Sequence, residues 1–105
     1  MSDDTDNGYM YVVIRNDLSN AQKAVQGSHA AIESGRKFLQ KGDKHPFVIF
    51  ILVKNKQRLE RLSESLGFEH VMFREPDIGD EATAIATRPL YGSERKKFSR
   101  YQLMA

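Results

Sequence analysis

Residues 47–53 read Phe-Val-Ile-Phe-Ile-Leu-Val, an apolar run with no polar interruption. A strand with one face in water alternates apolar and polar side chains. A continuous run predicts a strand covered on both faces, as in the middle of a partly parallel sheet. Parallel strands are joined by crossovers, usually helical, and those helices supply the cover. This one segment therefore points to an α/β architecture. With 105 residues, the chain has room for a single such domain.

The other segments fit that frame. Tyr9 to Arg15 is apolar and β-branched, hence a strand. Ser19 reads as a helix N-cap, with Gln22 completing a capping box, and the helix should run from about Asn20 to Lys41, ended by Gly42. Its apolar positions Ala24, Val25, Ser28, Ala31, Ile32, Phe38 and Leu39 recur at helical spacing and should face the core. Asn55 caps a second helix with Leu59, Leu62 and Leu66 inward, and Gly67 follows as a left-handed cap. His70–Arg74 and Ala82–Arg88 are strands joined by a short acidic loop. Ser93 starts a last helix. The order β-α-β-α-β-β-α predicts a single three-layer domain with a four-stranded mixed sheet flanked by helices. Residues 1–8, with Asp3, Asp4 and Asp6, read as a disordered acidic leader and 9–105 as the α/β domain.

Several chemistries drop out early. There is no cysteine, which excludes disulfides, thiolate catalysis and cysteine-ligated metal. His29, His45 and His70 lie in different elements without ligand spacing, so no metal or cofactor is expected. No apolar stretch reaches the roughly 20 residues that span a bilayer, and the acidic start is unlike a secretory signal, so a cytoplasmic protein is expected. The formal net charge is +2, but from Arg88 onward five bases (Arg88, Arg95, Lys96, Lys97, Arg100) face one acid, Glu94. A basic tail element suits a polyanionic partner or makes a solvated helix face.

Two places carry candidate chemistry. At 100° per residue Gln22, Gln26, His29 and Glu33 form one stripe of the first helix, beside the apolar arc. Amides, an imidazole and a carboxylate in line build either a polar groove or a solvated face. Small residues Ala24, Gly27, Ser28, Ala30 and Ala31 let the same helix approach a neighbour closely. The second place is Glu75–Glu81, four carboxylates in a loop shaped by Pro76 and Gly79. Crowded acids can raise a pKa or hold a cation, and they can also be a plain acidic turn.

Taken together, these residues resemble the class II (archaeal and eukaryotic-type) peptidyl-tRNA hydrolases. That family's first strand ends in Arg-x-Asp-Leu, matched by Arg15-Asn16-Asp17-Leu18. Its first helix carries Ala-Ala-Gln-x-x-His-Ala, matched by Ala24-Val25-Gln26-Gly27-Ser28-His29-Ala30. Its later loop carries Asp-x-Gly and then Thr-x-Ile-Ala, matched by Asp77-Ile78-Gly79 and Thr83-Ala84-Ile85-Ala86 with two extra residues between them. The order of elements agrees from Tyr9 to about Leu103.

The resemblance implies hydrolysis of the ester that joins a peptide to the terminal ribose of tRNA, a role in translation. It implies that Asp77 and Thr83 act together with a helix-one lysine, and that Gln26 and His29 belong to the same core. Water is then the nucleophile, oriented or deprotonated by Asp77. The Thr83 hydroxyl, the Gln26 amide or backbone N–H groups would steady the oxyanion. The expected picture is a cleft at one rim of the sheet joining Gln26, Asp77 and Thr83. Arg88, Arg95, Lys96, Lys97 and Arg100 would hold tRNA phosphates. The family lysine position is Gln22 here, and Lys23 follows about 100° round the helix. Either Lys23 takes the role or the charge is missing. In the second case the chain is a catalytically divergent module that binds RNA or a nucleotide. A protein-interaction role, as a homodimer through apolar helix faces, is the remaining alternative.

Overall fold

The computed structural model describes residues 7–104; the leader read over 1–8 lies outside them as far as residue 6. The strands are β1 (Tyr9–Arg15), β2 (Phe47–Val53), β3 (His70–Glu75), β4 (Glu81–Thr87) and β5 (Gln102–Leu103). The α-helices are α1 (Asn20–Phe38) and α2 (Lys56–Ser65), and two 3-10 helices, Pro76–Ile78 and Gly92–Phe98, follow later in the chain. The sheet order is β3-β4-β1-β2-β5. β1 and β2 run parallel, while β4 is antiparallel to β1 and β3, and β5 is antiparallel to β2. The mixed α/β class is as expected. The sheet has five strands rather than four, because the chain after the last helix adds β5 at the β2 edge. The last helix is 3-10, and Lys41 falls beyond the end of α1. None of the described helices is long and apolar enough to cross a membrane.

Both α-helices start where their caps predict. Ser19 Oγ accepts the Gln22 N–H at 3.1 Å and Asn55 Oδ1 accepts the Arg58 N–H at 3.0 Å. The two faces of the sheet are built differently. Beneath α2 and the Gly92–Phe98 helix lie Tyr11, Val13, Ile51, Ile85 and Leu90, met by Leu59 and Leu62 of α2, with Tyr11 stacked on Phe98 at 4.4 Å between centroids. Beneath α1 the strands supply Val12, Ile14, Ala84 and Ala86, and the helix answers with Gly27 and Ala30.

α1 is turned from its expected setting. Its buried side holds Lys23, Gln26, Gly27, Ala30 and Ser34, while Val25 and Ile32 are 48% and 58% exposed. Close approach explains the rotation. A Cβ on Gly27 would lie 2.7 Å from both Ile14 Cδ1 and Phe50 Cε2, so only glycine lets the helix sit this low. The polar groups turned inward are hydrogen-bonded, which removes most of their burial cost: Ser34 Oγ donates to the Thr87 carbonyl at 2.7 Å. Val25 and Ile32, expected to face the core, lie instead on the exposed side of α1.

β2 also departs from its reading. Only Ile51, Leu52 and Val53 are buried, and Phe47 and Val48 are 43% and 49% exposed. α1 packs on β4, β3 and β1, and the two-residue β5 pairs only with the end of β2. The first half of β2 is therefore an open edge.

Candidate active site

The polar stripe of α1 meets the sheet at the edge where β1 and β3 end and β4 begins. A bulge makes that meeting. In the β3–β4 ladder Phe73 pairs with Ala84 and Arg74 with Ala82, leaving Thr83 without a partner. The extra residue turns Thr83 onto the α1 face beside Ala84, the kind of re-aiming that bulges perform. Thr83 Oγ1 then donates to Gln26 Oε1 at 2.8 Å, across 57 residues of sequence. It also lies 3.3 Å from the Phe73 carbonyl.

Gln26 has no exposed surface and every polar atom of its amide is used. Nε2 donates to Glu75 Oε2 at 2.6 Å and to Gln22 Oε1 at 3.2 Å. A flipped amide would set its oxygen against the Glu75 carboxylate, so Glu75 fixes the orientation. Glu75 Oε1 in turn accepts the Asp77 N–H at 3.3 Å. The result is a continuous chain from Thr83 through Gln26 and Glu75 to the backbone of Asp77. The Gln26 hydrogen bond, then the Asp77 N–H and the nearby His29, hold the Glu75 carboxyl below its usual range.

The other end of the loop is anchored separately. Arg15 Nε and Nη2 donate to the two Asp17 oxygens at 2.9 and 3.0 Å, and Nη1 donates to Glu81 Oε1 at 2.7 Å. Nη1 also lies 3.2 Å from the Ala82 carbonyl. The guanidinium pulls Asp17 and Glu81 down and is itself pushed up, mainly by the Asp17 bond. Of the alternatives open for crowded acids, a raised carboxyl pKa is not what Glu75 and Glu81 show. Instead Glu75 and Glu81 each have a partner that favours the charged form. Gly79 and Asp80 at φ 72° and 59° complete the turn between the two anchors.

The structure brings only some of the expected site residues together. Thr83 and Gln26 touch. Asp77 joins them only through its N–H, with an exposed side chain that has no hydrogen bond or ion pair among the described residues. Lys23 lies on the sheet-facing side of α1, one turn before Gln26 and 8% exposed, while Gln22 is at the surface. Its Nζ is 3.5 Å from Asn20 Oδ1, and no ion pair engages it among the described residues. His29 is exposed and stacks on Phe73 at 4.7 Å. The expected open cleft is replaced by a sealed contact, since Thr83 is also without exposed surface. The hydroxyl proton and both amide protons are committed inside it. In this structure the Thr83 and Gln26 donors are thus turned toward each other and toward the loop.

Of the five tail bases, two are bound within the molecule. Arg88 pairs with Glu94 at 2.8 Å and Glu69 at 3.4 Å, and Glu94 is pulled down to about 2 by that guanidinium and the Tyr91 N–H. Arg95 lies 3.4 Å above the Tyr9 ring and donates to the Tyr11 hydroxyl at 3.0 Å. Lys96, Lys97 and Arg100 are exposed.

Sequence reading missed Glu75 as a site residue. Its signal was positional: it precedes Pro76, which favours extended backbone, and so it ends a strand facing α1. No protein-family model matches the chain and no curated protein is significantly similar to it.

Proposed function

We propose that this protein hydrolyses the ester bond of a peptidyl-tRNA with an activated water. The observation that carries the reading is the chain Thr83–Gln26–Glu75–Asp77, which ties the tip of the acidic loop to the first helix through a bulge. A carboxylate held by its backbone yet open to solvent is suited to take a proton from water. Lys23, the one helix-one lysine on the sheet-facing side, supplies positive charge for the oxyanion in a partly desolvated place. Its position supports Lys23, rather than residue 22, as the counterpart of the family lysine.

The steps balance without a cofactor. The water oxygen attacks the ester carbonyl carbon as Asp77 takes the water proton, and the carbonyl electron pair moves onto oxygen beside Lys23. The intermediate collapses, the bond to the ribose oxygen breaks, and that oxygen takes the proton from Asp77. Glu75, Gln26 and Thr83 are positioning residues in this scheme.

The test is ester release from peptidyl-tRNA by the purified chain. Asp77→Asn should lower turnover roughly 10²–10⁴-fold, and Lys23→Ala roughly 10²–10³-fold. Full activity in either variant would remove that residue from the mechanism, and no release by the unmodified chain would overturn the reading. The commitment of the Thr83 and Gln26 donors inside the protein favours a second reading, a module that binds RNA without turnover. That reading predicts tRNA binding with no ester release, and no gain of release on Gln22→Lys.

A further inference from the structure

On the opposite face of the sheet, a groove of about 420 Å³ lies between α2 and the chain that leads into β5. Its walls carry Lys54, Arg58, Arg61 and Arg100, together with Tyr101 and Gln102. Among the described residues no carboxylate lines it. The sidedness is built into α2: at 100° per residue Arg58, Arg61 and Ser65 share one side, and Glu60 and Glu64 lie on the other. All four cations are exposed, and none has a side-chain hydrogen bond or ion pair among the described residues. Arg15, Arg88 and Arg95, by contrast, are each held by a carboxylate or a tyrosine. The whole chain is only +2, so outside these four residues it is net acidic. Four like charges gathered in one groove repel one another, and no side-chain hydrogen bond or ion pair among the described residues neutralises them. A polyanion would.

We infer that this groove binds the phosphodiester backbone of RNA. Three of its four cations are arginines, whose planar forks match phosphate oxygens two at a time. The half-buried Tyr101 ring, backed by Phe98 at 5.8 Å, adds an aromatic surface on which a base stacks. Lys96 and Lys97, also exposed, extend the positive surface along the preceding 3-10 helix. The position also suits an RNA end delivered to the loop. Val53 ends β2, with Lys54 next in the chain, at the same sheet edge where Arg15 ends β1. β2 lies two strands from β4, or about 10 Å across the sheet. The inference rests on the proposed hydrolase reading only for the choice of RNA as the polyanion.

Binding of a deacylated tRNA, measured at two salt concentrations with the full chain and with Arg58→Glu/Arg61→Glu, tests it. If each of the four cations meets one phosphate, raising salt from about 50 to 200 mM should weaken the unmodified chain roughly 10²-fold and the double variant only about 10-fold. The variant should also bind more weakly at both salts. Both arginines are exposed, so the fold should survive, and an unchanged circular dichroism spectrum checks this. Equal affinity and equal salt dependence of the two proteins would overturn the inference whatever the ester assay shows. Competition by poly-glutamate as effective as by tRNA would also overturn it, and would assign the groove to an acidic protein partner. Salt-sensitive tRNA binding lost in the variant, with no ester release by either protein, would support the groove and count against the hydrolase reading.

Discussion

The two faces of this sheet handle polarity in opposite ways. Under α1 the helix turns Gln26, Ser34 and Lys23 inward and leaves Val25 and Ile32 in water. Under α2 the helix buries Leu59 and Leu62 and leaves Arg58 and Arg61 in water. The second face follows the ordinary hydrophobic pattern, and its charges are left free to meet something else. The first face gives up two aliphatic contacts for a close approach and a satisfied hydrogen-bond chain. Buried polar groups in that chain act on one another, so the α1 face is where the fold fixes a loop. The α2 face is where the fold builds stability and exposes charge.

If that contrast is right, the faces should break differently. The largest effect belongs to the α2 face: Leu59→Ala removes a fully buried aliphatic side chain and should cost roughly 2–5 kcal/mol in denaturant unfolding. On the α1 face the sensitive position is one with no side chain at all. Gly27→Ala forces Ile14 and Phe50 aside and should cost roughly 1–3 kcal/mol, where an alanine at an open helix position would stabilise. Gln26→Leu keeps much of the volume but strips Thr83 and Glu75 of their partner, for roughly 1–3 kcal/mol. A Leu variant as stable as the unmodified chain would mean that the polar chain could be replaced by packing alone.

Acid should sharpen the same picture. Asp17, Glu75, Glu81 and Glu94 all sit below their ordinary values, near 3.8 for aspartate and 4.5 for glutamate. A depressed carboxyl stabilises the folded state above its unfolded pKa, and that contribution is lost as pH falls through the folded value. Thermal stability should therefore be flat above about pH 5 and decline from 4.5 toward 2, the range set by Glu94. Glu94→Gln should flatten the lowest part of that decline. A chain equally stable at pH 7 and pH 2.5 would contradict the assigned pairings. The smallest effect is expected at Val25→Ser, within about 0.5 kcal/mol, because that side chain faces solvent.

The contrast also separates what could be read from sequence and what could not. Strands Tyr9–Arg15 and Phe47–Val53 and the caps Ser19 and Asn55 are local signals, and the structure repeats them. On the α2 face hydrophobic spacing alone orients the helix, with Leu59, Leu62 and Leu66 inward. The same rule misorients α1, because it weighs Val25 and Ile32 but not the depth that Gly27 permits. The doubly covered reading of Phe47–Val53 fails at Phe47 and Val48, since cover depends on which strands α1 lies over. β5 has two residues and no pattern to find. In the site, Gln26 and Thr83 were expected together from the resemblance, but their contact depends on a bulge at Thr83 that leaves no local sign, and Glu75 was read only as one acid of the loop. Lys54, Arg58 and Arg61 were not singled out in the sequence, because only the fold joins them to Arg100.

We propose that the hydrogen-bond chain from buried Thr83 to exposed Asp77 positions the loop for ester hydrolysis. Thr83→Val tests it most directly, since it keeps the shape and removes the hydroxyl that Gln26 accepts from. Measured on peptidyl-tRNA, kcat should fall roughly 10- to 100-fold, the cost of slight misplacement of a reacting group, while KM changes little. A Thr83→Val protein that folds and turns over with an unchanged kcat would contradict the account and reduce the chain to a packing device.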